Sequence, residues 1–288
     1  MWRKIRVILA VFVLLTVWTV WGNENPVLHK ITVKSTDIPE AFSGYRIAQV
    51  SDLHDAQFGE NHAKLIKLLK ESEADILVLT GDIVDAHRTD IEQSLDFIRQ
   101  AAERMPVYYV PGNHEAAIRG RGDYEILKQD LTDCGVILLE DSKTRLEKKG
   151  QYITLIGLMD VGFHPAPTVE NEILGRSLVC GEHLAPLTEE DDGYRILLSH
   201  RPELFPVYAG MDINLSFSGH AHGGQFRLPF IGGFYAPGQG ALPQYDGGLY
   251  QQEDSQMIVS RGLGNSSFPF RFNNRPELVV AELHRQEK

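Results

Sequence analysis

Cysteine is scarce: Cys134 and Cys180 are the only two in 288 residues. That excludes a disulfide framework, a cysteine-rich zinc module and a Cys-x-x-Cys redox pair. An oxidising compartment would allow a bridge between the two, but no spacing motif supports one, so two unpaired, buried thiols are expected over a disulfide. Cations are also in deficit, with 28 Lys and Arg against 39 Asp and Glu. Such a balance repels nucleic acid and anionic lipid unless a local patch or a bound metal intervenes, and no nucleic-acid partner is expected. Internal repeats, low-complexity tracts and linkers between the halves are missing too, which leaves one two-sheet domain as the simplest organisation. Long apolar runs are absent with one exception, at the start.

That exception is residues 7–21, built from Val, Leu, Ile, Ala, Phe and Trp and interrupted only by Thr16 and Thr19. Arg3, Lys4 and Arg6 precede it. No pair of small residues offers a cleavage site near its end, so an uncleaved anchor is expected over a removed signal peptide. Trp18 and Trp21 suit a lipid–water interface. The run is shorter than the usual ~20 residues, so Ile5 must contribute and Arg6 must snorkel. The positive-inside rule leaves the N-terminus in the cytoplasm and the rest of the chain outside it. Residues 1–24 are thus expected to be a single-pass anchor in the cell membrane, with residues 25–288 as an extracytoplasmic domain. No Arg-Arg pair points to twin-arginine export. Removing the three cations and Glu24 leaves 25 cations against 38 anions, a balance of −13.

From residue 45 apolar runs alternate with amphipathic stretches. Residues 45–51, 75–80, 107–110 and 136–140 read as strands. Residues 64–73, 90–104 and 124–134 read as helices, the second capped by Thr89 or Asp90 and the third closed by Gly135. This strand–helix–strand order predicts a largely parallel sheet with right-handed crossovers. In the second half, residues 152–158, 195–199, 213–217, 256–260 and 277–282 are strand-like, and only residues 169–184 look able to hold a helix. A second sheet packed on the first, with helices outside, is the α/β architecture expected.

Chemistry gathers where strands end. The first ends in Asp52 and His54, the second in Asp82 and Asp85, the third in Asn113 and His114. His200 follows another, and His220 and His222 follow the last, behind Gly219. In an open α/β sheet ligands collect at the carboxyl ends of strands. Taken singly, each residue has an ordinary reading as a cap, a turn residue or a surface histidine. Taken together, five of eleven histidines occupy such ends, and the other six look scattered. Imidazole and carboxylate ligands suit Mn²⁺, Fe²⁺ or Zn²⁺. A bridging carboxylate can hold two ions ~3.5–4 Å apart, and neutral Asn113 adds an oxygen without adding charge. Gly81, Gly112 and Gly219 are expected to let the backbone turn sharply there.

The ordered blocks Asp-x-His, Gly-Asp, Gly-Asn-His-Glu, a lone His and Gly-His-x-His span residues 52–222. This order resembles the calcineurin-like metallophosphoesterase superfamily. The further stretches "GHAHGGQFRLPF", "DGGLY" and "SRGLGNSSFPFRFNNRPELVV" resemble its branch of membrane-anchored bacterial envelope phosphoesterases, some of which act on UDP-diacylglucosamine or related envelope phosphoesters. The resemblance implies a four-layer α/β/β/α sandwich of two mixed sheets behind the anchor helix. It also implies one divalent metal ion on Asp52, His54, Asp82 and His222. A second ion would sit on Asp82, Asn113, His200 and His220, with Asp82 as the bridge. His114 would be the catalytic acid or charge stabiliser, and a water acidified between the ions the nucleophile. Asp85 is expected to orient His114. Asp55 and the arginines of "AAIRGRGDY" depart from the pattern and bear on substrate identity.

The activity implied is a metal-dependent phosphoesterase, a phosphodiesterase or pyrophosphohydrolase. A catalytically silent membrane-tethered binding protein is the rival from another class, and a phosphomonoesterase or nuclease the rival within the superfamily. A metallo-β-lactamase type is excluded by the lack of a His-x-His-x-Asp-His block. Residues 225–250, rich in Gly, Pro and aromatics, are too long for a plain connection. They are expected either to form a substrate wall or membrane contact for a lipid-bearing phosphoester, or to pack as their own small core.

Overall fold

Side chains alternating along short apolar strands decide how the layers form. The structure, a computed structural model, describes residues 1–165, 167–189, 193–265 and 268–287. Ser266 and Ser267 of the C-terminal stretch quoted above lie outside the described residues. The chain opens with α1 (Trp2–Glu24), followed by β1 (Val27–Ser35), β2 (Arg46–Val50), α2 (Ala63–Ser72) and β3 (Ile76–Thr80). Next come α3 (Ile91–Ala102), β4 (Val107–Val110), α4 (Asn113–Ile118), α5 (Asp123–Asp133) and β5 (Ile137–Leu138). The Asp90 carboxylate accepts from Gln93 N and so caps α3. Gly135, at φ +80°, ends α5 while its N–H and that of Val136 close on Thr132 and Leu131 carbonyls.

The second half holds β6 (Ser142–Lys148), β7 (Gln151–Gly157), α6 (Glu172–Thr188), β8 (Arg195–Leu198), α7 (Phe205–Ala209) and β9 (Leu215–Ser218). Two ribbons of two-residue strands follow: β10 (Arg227–Leu228) with β11 (Gly232–Gly233), and β12 (Tyr235–Ala236) with β13 (Gly240–Ala241). The chain ends with β14 (Gly248–Gln252), β15 (Ser255–Val259) and β16 (Glu277–Arg285).

Two six-stranded mixed sheets result, ordered β1-β16-β2-β3-β4-β5 and β14-β15-β9-β8-β7-β6. β2 to β5 run parallel, as do β15, β9, β8 and β7. β16 is a correction to the sequence reading, which grouped it with the second half. It inserts between β1 and β2 in the first sheet, antiparallel to β2. Ile76 and Val78 of β3 face a core shared with Leu155, Ile196, Leu198 and Phe217 of the second sheet. Leu77 and Leu79 face the opposite core under α2, α3 and α5. The outer face of the second sheet packs Ile156, Leu197 and Met257 against Cys180, Leu184, Phe205 and Tyr208. Helices, sheet, sheet and helices therefore stack in the expected four layers. Cys134 and Cys180 are both free.

Glu277 fastens the start of β16. Its carboxylate accepts from Arg261 N at 2.9 Å and Nε at 2.7 Å, with His29 Nδ1 at 3.1 Å. Burial would raise this carboxyl, but the hydrogen bonds from His29 and Arg261 hold it down at about 2, against an ordinary 4.5. A depressed carboxyl contributes stability above its unfolded value and loses it as pH falls toward the folded one. The window is therefore pH 4.5 to 2, and the contribution at neutral pH is about 3 kcal/mol. Chemical denaturation of metal-free protein should place Glu277→Gln below wild type by about that amount at pH 7. The gap should shrink by about 2 kcal/mol at pH 3; a gap independent of pH would refute the assignment.

Candidate metal centre

Every strand-end residue singled out in the sequence comes to one rim, where the carboxyl ends of β2, β3 and β4 meet those of β8 and β9. Asp52 and His54 follow β2, Asp82 follows β3, Asn113 and His114 open α4 behind β4, His200 follows β8, and His220 and His222 follow β9. Asp52, His54 and His222 gather their ligand atoms within 4.8 Å of one another, and so do Asp82, His200 and His220. Asp82 lies between the groups. Its Oδ1 accepts the His114 N–H at 2.8 Å, which turns Oδ2 toward His200 Nε2 at 3.1 Å and His54 Nε2 at 3.8 Å. Asn113 Oδ1 is 3.1 Å from the same His200 nitrogen, and His222 Nε2 is 3.4 Å from Asp52 Oδ1.

Glycine makes one of these turns, with Gly81 at φ +86° as expected, and backbone strain makes the others. Asp52, His54, Asp82, His220 and His222 themselves adopt φ between +46° and +63°, a region that non-glycine residues enter only at a cost of order 1–3 kcal/mol each. Gly112 and Gly219 serve close approach instead. A Cβ on Gly112 would overlap Asp82 Oδ1, and one on Gly219 would overlap Ser51 Oγ and Asp52 Oδ2. The strand geometry also stops at Gly219, so His220 and His222 do not simply alternate off an extended chain.

The charge states suit metal ligation. Burial drives His54 and His222 down to about 3, and His220 well below its ordinary value, so all three are neutral imidazoles. Burial also opposes ionisation of Asp82 and of His200, but their mutual attraction wins, leaving Asp82 well depressed and His200 at about 10. His200 Nδ1 donates to the Thr80 carbonyl at 2.8 Å, which fixes the ring with Nε2 toward Asp82. Three neutral imidazoles, a His200 whose extra proton a bound cation would displace, and the oxygens of Asp52, Asp82 and Asn113, gathered at one rim, fit a divalent-metal site.

A family model described as calcineurin-like phosphoesterase matches residues 45–224, the segment that carries all these ligands. The chain belongs to the calcineurin-like phosphoesterase family. The uncharacterised metallophosphoesterase YkuE of Bacillus subtilis is 30% identical over 261 residues, 88% of this chain and 83% of that protein. The phosphodiesterase YaeI of Escherichia coli is 26% identical, over 83% of this chain and 82% of its own. The crystal structure of TT1561 from Thermus thermophilus shares the fold, with a TM-score of 0.50 at 16% identity over 77% of this chain and 91% of that one. This calcineurin-like phosphoesterase is thus a hydrolase of a metal-dependent family, and its candidate ligands converge as such chemistry requires.

Two residues around the site make contacts that no motif records. Asp85 does not hold His114: its carboxylate accepts from His87 N, Arg88 N and Arg88 Nη2. The Ala86 N–H donates to His114 Nδ1 at 2.9 Å instead, which leaves the ring hydrogen on Nε2, 4.0 Å from Asp82 Oδ2. Asp55, linked above to substrate identity, is a brace. It accepts from Asp85 N, Asp90 N and Ser94 Oγ, and burial raises it to about 6. Arg119 and Arg121 of the same departure bind the Phe163 and Ala86 carbonyls.

Sequence reasoning assigned no role to three residues that support the ligands. Glu115, fully buried, accepts Asp82 N and Gly112 N on Oε2 and Ile83 N and Val84 N on Oε1, at 2.7–3.3 Å. Burial and the neighbouring Asp82 push it up to about 8, a shift that bound cations would reverse. Arg201, paired with Asp160 at 2.6 Å, places Nη1 3.2 Å from His220 Nε2. Arg271, also buried, places Nη2 3.2 Å from His222 Nδ1, and its backbone N–H and C=O both bond the Asn23 side chain at 2.8 Å. Glu115 was visible inside the Gly-Asn-His-Glu block and Arg201 beside His200. Arg271 lies inside the quoted C-terminal stretch, but nothing in that stretch points to His222.

Glu115→Gln would turn an NH₂ toward N–H donors and should loosen the turns that carry Asp82 and Asn113. Metal affinity is expected to fall about 10- to 100-fold, read by calorimetric titration of stripped protein. Unchanged affinity would show that the carboxylate does not position the ligands.

Proposed function

We propose that the protein is a dinuclear-metal phosphodiesterase, held at a membrane by residues 1–24, whose domain of residues 25–288 hydrolyses a lipid-bearing phosphoester on the extracytoplasmic side. The position of Asp82 Oδ2 between two ligand groups, 3.1 Å from His200 and 3.8 Å from His54, carries this reading, because one anionic oxygen shared by two sets is what a two-metal site needs. Asp52, His54, Asp82 and His222 would hold one ion, and Asp82, Asn113, His200 and His220 the other, Mn²⁺, Fe²⁺ or Zn²⁺. Two bound ions supply Lewis acidity at the phosphoryl oxygens and an acidified water as nucleophile.

The chain's own residues do the rest. His114, oriented by Ala86, directs Nε2–H over the site and donates to the developing charge or the leaving oxygen. Asp85 supports His114 only indirectly, by capping the turn that presents the Ala86 N–H. Arg201 adds fixed positive charge beside His220. With bis(p-nitrophenyl) phosphate and added Mn²⁺, Asp82→Ala should lose metal and turnover together. His114→Ala should keep its metal yet lose about 10²–10⁴ in kcat. Equal rates for wild type and both variants would defeat the enzyme reading.

Support for the membrane and a lipid substrate comes from the surface. α1 is long and apolar enough to cross a membrane. Trp18 packs edge-on to Phe272, and Arg275 lies over Trp21, so the base of α1 is joined to the C-terminal loop. Phe268 and Phe270 of that loop, with Phe230, Ile231, Phe234 and Leu242 of the aromatic segment, are exposed. Tyr245 packs inward on Phe205 and Tyr250, so that segment is part core and part exposed apolar surface. Between α1 and the C-terminal loop lies a groove of about 610 Å³, lined by Phe12, Leu15, Val20, Phe270 and Phe272. Replacing Phe230 and Phe234 by Ser should lower turnover of a phosphodiester lipid in vesicles more than that of the soluble ester. Equal losses on both would count against the lipid reading.

A further inference from the structure

Two of the six histidines that looked scattered in the sequence are not. His164, just beyond β7, and His183, on α6, converge on Asp141 at the step from β5 to β6. His164 Nε2 and His183 Nδ1 stand 3.0 and 3.1 Å from the same oxygen, Asp141 Oδ2. The two rings stack with centroids 3.5 Å apart at 23°. Three elements distant in sequence thus turn two nitrogens and one carboxylate oxygen toward a single point.

From this geometry we infer that Asp141, His164 and His183 form a further divalent-metal site, outside the phosphoesterase centre and suited to Zn²⁺. Two imidazoles and one carboxylate are a common zinc donor set, and tetrahedral ligands at 2.0–2.1 Å stand roughly 3.3 Å apart. The two separations from Asp141 need to open by only a few tenths of an ångström, and all three ligand atoms lie within 4.8 Å of one another. His164 Nε2 is buried and has no hydrogen-bond partner, because its 3.0 Å approach to Asp141 is not aligned as a hydrogen bond. A buried imidazole nitrogen without a partner is costly unless something else occupies its lone pair. Asp141 Oδ1 is already engaged by Met159 N at 2.9 Å, which fixes Oδ2 as the inward-facing atom. The side chains keep partial solvent access, up to 32% at His183, enough for an ion to enter and for water to complete its coordination. The bound ion would pin α6 to the junction between the sheets, where Lys143 Nζ already bonds the Leu187 carbonyl at 2.9 Å.

The test uses the full chain in detergent, stripped with chelator and then titrated with Zn²⁺. Bound zinc per chain at saturation should be one lower in His183→Ala and in Asp141→Asn than in wild type, with turnover of the soluble ester retained. In wild-type protein, saturating Zn²⁺ should cut modification of His164 and His183 by diethyl pyrocarbonate at least tenfold, mapped by mass spectrometry. The second measurement needs no variant and so stands whether or not the variants fold. Equal zinc stoichiometry in wild type and folded variants, or unchanged modification of both histidines, would reduce the cluster to a carboxylate clasping two rings.

Discussion

One buried carboxylate holds the rim together. Glu115 satisfies N–H groups from two turns at once, those after β3 and after β4. Turns that deliver ligands cannot spend their N–H groups on a sheet ladder, and a buried N–H without a partner costs about 1–3 kcal/mol. With that requirement met, Asp82 can present Oδ1 to His114 and Oδ2 to the imidazoles. Asp52 repeats the device across the sheets, accepting the His220 N–H on both oxygens, so the last ligand-bearing turn is registered against the first.

The strain carried by the ligands follows from the same geometry. Five candidate ligand residues sit at positive φ, since a strand must reverse sharply if its next side chain is to point back over the sheet edge. Such conformations persist only where surroundings over-determine them. Here the loops after β2 and β3 are zipped together, with Asp52 N on the Gly81 carbonyl and His54 N on that of Asp82. The large apolar cores on either side of the sheets supply the stability that this arrangement draws on.

Much of this was legible in the sequence, for reasons of burial. Strands buried on both faces, such as β3, announce themselves as apolar runs, and ligands follow directly behind them. β1 and β6 escaped notice because each lies at a sheet edge. An edge strand buries few side chains, and those of β6 include only Leu146 fully inside. The same locality limits the site. Glu115 and Arg201 are neighbours of candidate ligands and could be read, whereas Arg271 meets His222 across 49 residues, a contact that the quoted C-terminal stretch does not reveal by itself. One residue beyond Asp85, the Ala86 N–H bonds His114, a backbone contact that no side-chain motif records.

Asn23 sits at the end of α1, yet its amide brackets the Arg271 backbone, and the Arg271 guanidinium reaches His222. The apolar helix is therefore not interchangeable with another of equal length. A version cut behind it would lose the clamp on the segment that meets the candidate ligand His222. Whatever replaces α1 must restore an amide at that point, or the rim of candidate ligands inherits the slack.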